Sequence, residues 1–235
     1  MKIQNSVALV TGANRGIGLA FTKALLARGA SKVYAAARDP STLNIPGVEP
    51  IRLDVTNASD VAAAAGLATD VTLVINNAGV AHQGGFLATD AEEVARRMFE
   101  TNFFGMLRVS RAFAPVLEAN GGGALLNVLS IASWMNGAAL AAYAASKSAA
   151  WSLTNSLRHE LAPQGTQVTA LHMGFVDTDL ARAIDGPKTS TGEVVARALD
   201  GLEANLDEVL GDERTRLVKQ GLSAANASYL PRRAA

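Results

Sequence analysis

Cysteine is absent from all 235 residues. That excludes a disulfide framework, a thiolate nucleophile and any cysteine-based metal centre. Histidine is scarce: His82, His159 and His172 are the only three, and no two have metal-ligand spacing, so no metal site is expected. Net charge is lacking too, since 21 basic and 21 acidic residues cancel. A nucleic-acid partner usually demands a strong basic excess, so none is expected. No apolar run reaches bilayer length without glycine, asparagine or charge interrupting it. The apolar stretch after MKIQNS is too short for a secretion signal and reads as a first strand. A soluble cytoplasmic protein with no membrane partner is the expectation.

What is present is a chain of alternating signals. Short β-rich apolar runs at 7–12, 32–37, 49–55, 71–79, 121–130 and 167–174 alternate with helical stretches, and DEVLGD (207–212) is a candidate seventh strand. A long helical region over 90–118 is interrupted near Asn102 and Gly105, and another runs over 140–162. The tail TRLVKQGLSAANASYL reads as a final helix or a partly loose end. This alternation predicts one α/β domain over 1–235, with a parallel sheet covered by helices on both faces. Such sheets bind ligands at the carboxyl ends of their strands.

The motifs fall at those ends. TGANRGIG follows the first strand and opens the first helix, with Gly12, Gly16 and Gly18 spaced G-x-x-x-G-x-G. Without side chains there, a pyrophosphate approaches the backbone and meets the free N–H groups of the helix N-terminus. Twenty residues after Gly18, where an acid would bind the ribose hydroxyls of NAD, the sequence reads Arg38. Together with Arg15 in the glycine turn it offers two guanidinium groups to a ribose 2′-phosphate, which favours NADPH over NADH. Asp39 is the competing ribose acceptor. Asp54, ending the third strand, suits an adenine amino group with the Val55 backbone alongside; its other role is capping the next helix, for which Asn57 and Ser59 compete.

TGANRGIG, NNAG at 76–79, and Tyr143 four residues before Lys147 together resemble the short-chain dehydrogenase/reductase family over about residues 5–180. The resemblance implies a doubly wound Rossmann fold of about seven strands and hydride transfer between NADP(H) and a carbonyl or alcohol. It implies that Gly12, Asn14, Arg15, Gly16, Ile17 and Gly18 line the phosphate turn, and that Asn76, Ala78 and Gly79 stabilise the sheet and flank the cofactor ribose. Asn102 matches a catalytic position at a helix kink. Ser130, thirteen residues before Tyr143, matches the catalytic serine, with Ser133 as competitor. MGFVDT (173–178) matches a Pro-Gly-x-Val-x-Thr segment at the nicotinamide, carrying Gly174, Val176 and Thr178 but Met173 in place of proline.

Tyr143 and Lys147, at i and i+4, share a helix face. A phenol's pKa near ~10 suits proton exchange at neutral pH poorly. An ammonium about 5 Å away, at an effective dielectric of ~20, favours phenolate by roughly 3 kcal/mol, about two pK units. Ser130 would hold and polarise the same substrate oxygen. His82, Phe86, Trp134, Met135 and Phe175 are expected around a hydrophobic ketone or aldehyde, an aryl-bearing one included; the alternative for Trp134 and Phe175 is packing against their own loops. The resemblance implies pairing through the two long helices, whose Phe99, Phe103, Phe113 and Trp151 permit a homodimer, with monomer and tetramer left open. Rival readings are a nucleotide sensor or scaffold that has lost catalysis, a reductase of carrier-linked 3-ketoacyl groups, and a sugar-nucleotide epimerase, which would need a larger C-terminal domain.

Overall fold

The computed structural model describes residues 1–230. Strands β1 (Val7–Thr11), β2 (Lys32–Ala37), β3 (Glu49–Arg52), β4 (Leu73–Asn76), β5 (Ala124–Val128), β6 (Gln167–His172) and β7 (Glu208–Leu210) form one sheet in the order β3-β2-β1-β4-β5-β6-β7. Every pairing is parallel. The strand order reverses between β1 and β4, which opens the crevice where ligands bind in such sheets.

Both faces are buried because successive side chains alternate. Ala8 and Val10 face a core with Phe21 and Leu25 of α1 (Gly16–Ala27) and Leu199 and Leu202 of α6 (Thr191–Glu203). Leu9 faces the other, with residues of α2 (Ala58–Leu67), α4 (Met106–Ala119) and α5 (Ala141–Leu161). Each large side chain buried here contributes about 1.5–3 kcal/mol. Phe113 is fully buried in this second core, and Trp151 packs within the chain and donates to Glu208 at 3.1 Å. Phe113 is therefore not free to face outward; Trp151, Phe99 and Phe103 are partly exposed and Phe104 is exposed.

The interruption near Asn102 is a π-helical segment, Glu100–Gly105, between α3 (Ala91–Phe99) and α4. In the tail, helix α7 (Glu213–Gln220) is followed by turns. Among the described residues no helix is long and apolar enough to cross a membrane.

Candidate active site

At the carboxyl end of β1 the chain turns through Gly12 into α1. Gly18 permits the tight approach of helix to turn: a Cβ there would stand 2.1 Å from the Gly12 carbonyl oxygen. Gly16 has φ +54°, and a Cβ on it would meet Thr178 Cγ2 at 3.3 Å. Arg15 occupies the N-cap of α1 without a side-chain cap, so the first-turn N–H groups keep their capacity for an anion. The groove therefore fits a dinucleotide's phosphates. Asn14 and Ile17, on the same turn, are half-buried.

Thr11 and Asn77 hold this turn in place. The Asn77 amide donates to the carbonyls of Thr11 (2.9 Å) and Gly12 (3.2 Å), and the Thr11 hydroxyl accepts from the N–H groups of Asn77 and Ala78 (both 3.0 Å). Both residues escape the sequence reading, although the second asparagine of NNAG was the available signal. Asn76 instead points into the protein, donating to Ser110 Oγ (3.1 Å) and Asn127 Oδ1 (2.9 Å). It pins β4 to β5 and α4, so its side chain does not flank a ribose.

Arg15 and Arg38 are both exposed and make no ion pair among the described residues. Asp39 is engaged locally: it accepts from the Ser41 hydroxyl (2.7 Å) and N–H (3.0 Å), which hold its carboxyl below the usual range. Burial pushes the Asp54 carboxyl up, but bonds from the Thr56 N–H and hydroxyl outweigh this and leave it lowered. Asn57, not Asp54, caps α2. Val55 is buried, against Gly105 of the π-helical segment.

The second half of the site gathers around α5. Ser130 follows β5 and caps a short turn, its Oγ accepting from the Ala132 N–H at 3.1 Å. The Ser130 side chain is the one neighbour that favours the Tyr143 phenolate. Lys147, 5% exposed, donates from Nζ to the Val128 carbonyl at 2.9 Å, and Nζ lies 5.9 Å from the centre of the Tyr143 ring. Asn102 grips Val80 through two 2.9 Å bonds and donates to Ser146 Oγ at 2.9 Å; Ser146 in turn donates to the Tyr143 carbonyl at 2.7 Å. A Cβ on Gly79 would stand 3.3 Å from Asn102 Oδ1 and 3.7 Å from Lys147 Nζ, so its absence keeps the space over the lysine open.

The electrostatics run opposite to the sequence expectation. Burial pushes the Tyr143 phenol above its ordinary value, and the Ser130 hydroxyl only partly offsets this. Burial also brings Lys147 down to about 8. The ammonium is desolvated and directed at a backbone carbonyl, so the expected two-unit depression of the phenol does not arise from the protein's own groups. Burial thus favours the protonated phenol and weakens the lysine's hold on its proton.

Of the expected substrate-facing side chains, His82 and Phe86 are exposed on a loop joined to the start of α5 by Gly84 N–H to Ala139 O (2.9 Å) and Ala141 N–H to Gly84 O (3.2 Å). Phe175 is half-buried, with Arg214 5.9 Å above its ring. Trp134 is not a pocket wall: it is 7% exposed and stacks on His172 at 3.9 Å. Met135 packs in the same cluster with Val218 and Trp151. A groove of about 980 Å³ is lined by Thr56, Val80, His82, Phe99 and Phe104, among others, but by none of Ser130, Tyr143 and Lys147. This groove lies apart from the Ser130, Tyr143 and Lys147 cluster.

The profile of short chain dehydrogenases matches residues 6–188. A short chain dehydrogenase from Burkholderia cenocepacia J2315, crystallised with NADP, superposes with a TM-score of 0.94 at 41% identity, covering 98% of this chain and 100% of that one. The 3-oxoacyl-acyl-carrier-protein reductase of Vibrio cholerae is 32% identical, covering 81% of this chain and 82% of the relative. Carbonyl reductase (NADPH) 2 of Sus scrofa is 36% identical over 75% of this chain and 74% of the relative. With a glycine turn, a seven-stranded parallel sheet and a serine–tyrosine–lysine cluster at its carboxyl edge, the chain belongs to the short-chain dehydrogenase family of oxidoreductases.

Proposed function

We propose that the protein is an NADPH-dependent reductase of apolar ketones or aldehydes. What carries the reading is the placement of Ser130, Tyr143 and buried Lys147 at the carboxyl edge of the sheet, with Lys147 Nζ 5.9 Å from the centre of the Tyr143 ring. When bound, the coenzyme supplies the hydride that reduces the carbonyl carbon. Ser130 donates to the carbonyl oxygen and aligns it, since preorganised donors act where charge develops. Tyr143 gives its proton to that oxygen as the alcohol forms. The Lys147 charge then stabilises the phenolate left behind, at a cost in solvation already met by folding. Asn102 holds the Val80 loop and, through Ser146, the first turn of α5. The relatives named as carbonyl reductase (NADPH) 2 and as an NADP complex support this reading.

The proton inventory sets the pH dependence. Reduction needs the phenol protonated and the lysine charged, so kcat/KM for reduction should be level near neutrality and fall above pH about 8, where Lys147 loses its proton. Alcohol oxidation, which needs the phenolate, should rise over the same range. Initial rates in both directions across pH 6 to 10 check this; two flat profiles would remove both groups from the proton path.

Arg15 and Arg38 favour the 2′-phosphate of NADPH, because Asp39 is held by Ser41. A charge-assisted hydrogen bond contributes about 1.5–3 kcal/mol. Arg38→Ala should therefore raise the KM for NADPH on the order of 10–100-fold and leave that for NADH almost unchanged. Equal effects on both would return the ribose to Asp39.

A second reading, reduction of a 3-oxoacyl thioester, is favoured by the Vibrio cholerae relative. NADPH consumption against apolar ketones, aryl aldehydes, a 3-oxoacyl thioester and small charged keto acids separates the choices. Preference for apolar ketones supports the proposal, preference for the thioester supports the second reading, and preference for charged keto acids refutes the apolar pocket. Coenzyme binding without turnover of any carbonyl would make the protein a nucleotide sensor.

A further inference from the structure

The segment Met173–Thr178 spans the site. At one end the Ile131 N–H donates to the Met173 carbonyl at 2.8 Å, next to Ser130. At the other, Thr178 lies against Gly16 of the phosphate turn. A dinucleotide laid from that turn toward Tyr143 must run along this segment. A proline at 173 would lock φ there; methionine does not. Between its ends the segment is tied to the 189–190 loop by Asp177 N–H to Thr189 O (3.0 Å) and Thr189 N–H to Phe175 O (2.9 Å). Among the described residues it is tied to the N-cap of α7 by one bond, the Gly174 N–H to Asp212 Oδ2 at 2.6 Å.

We infer that Asp212 is a positioning residue that holds the Gly174–Thr178 segment in place for the nicotinamide end of the coenzyme. The inference rests on the NADPH reading above. Asp212 is the N-cap of α7, and its Oδ1 accepts from the Thr215 N–H (2.8 Å) and hydroxyl (2.9 Å). Capping explains Oδ1. Oδ2 also lies 2.9 Å from the Thr215 hydroxyl, but the cap does not explain why it reaches a different loop at a short, charge-assisted 2.6 Å. The carboxylate is itself anchored: Thr215 is fully buried, the Gly211 N–H donates to the His172 carbonyl at 2.7 Å, and Lys219 of the same helix pairs with Glu208 at 2.7 Å and lies 4.6 Å over Trp134. A carboxylate held this way transmits the rigidity of α7 and β7 to the loop.

Asp212→Ser tests the inference, because serine keeps the helix cap but is too short to reach Gly174. Asp212→Asn keeps an oxygen acceptor at full length. Fluorescence titrations of wild type and both variants with NADPH, and with adenosine 2′,5′-bisphosphate, which lacks nicotinamide, give the readout. Asp212→Ser should bind NADPH about tenfold more weakly and the bisphosphate as wild type does, and Asp212→Asn should recover most of the loss. Unchanged NADPH binding in Asp212→Ser, or equal weakening of both ligands, overturns the inference while the NADPH reading stands. Failure of wild type to bind NADPH at all overturns both.

Discussion

Tyr143→Phe is expected to lower kcat for carbonyl reduction by at least about a hundredfold, with NADPH affinity and thermal midpoint nearly unchanged. General acid catalysis by a positioned side chain contributes about 10²–10⁴ in rate, and phenylalanine removes only the hydroxyl that carries the acidic proton. The ring stays on the same face of α5, so its contacts survive. Loss of the hydroxyl at this half-buried position should cost no more than about 1 kcal/mol in stability. Steady-state turnover, coenzyme titration and thermal melting measure the three quantities separately. Turnover within a fewfold of wild type would take Tyr143 out of the proton path and leave Ser130 or solvent as donor.

Gly18→Ala should be the most disruptive single-methyl change. In an ordinary helix interior alanine is more stable than glycine by up to about 1 kcal/mol. Here the added Cβ would meet the Gly12 carbonyl oxygen at 2.1 Å and Asn77 Nδ2 at 2.5 Å. The first is backbone and cannot rotate away, and the second is the amide that holds the turn. Relief requires α1 to move off the end of β1, at a cost of about 3 kcal/mol by comparison with overpacked cores, and it opens the phosphate turn. Urea denaturation should show the lost stability, and NADPH binding should fall below detection. Gly66→Ala in α2 is the control: nothing lies within 4 Å of its Cβ, so the same substitution should be neutral or stabilising. Equal behaviour of the two variants would mean that the turn tolerates a side chain.

Much of this architecture is legible in the sequence. Apolar periodicity and Gly/Pro punctuation are local signals, so the seven strands, the interruption at Asn102 and the glycine turn could be placed within a few residues. The tyrosine–lysine spacing also survives, because helical geometry alone puts i and i+4 on one face. What was not legible depends on neighbours distant in sequence. Which asparagine of NNAG faces the core is decided by the pairing of Asn76 with Asn127 on β5; a shift of one residue would exchange their roles. Trp134 is drawn inward by His172, 38 residues away on β6. The charge balance at Tyr143 turns on burial, which spacing cannot report: desolvation of both groups outweighs their proximity. Asp212 lies in a polar stretch that looks like surface, and only the fold carries it to Gly174.

The most direct measurement is a crystal structure with NADPH and a slowly reduced apolar ketone. The Tyr143 hydroxyl and Ser130 Oγ should both lie within hydrogen-bond distance of the carbonyl oxygen, with the nicotinamide C4 facing the carbonyl carbon and the 2′-phosphate between Arg15 and Arg38. A phenol turned into the protein interior, remote from C4, would contradict the mechanism whatever the affinity for the coenzyme.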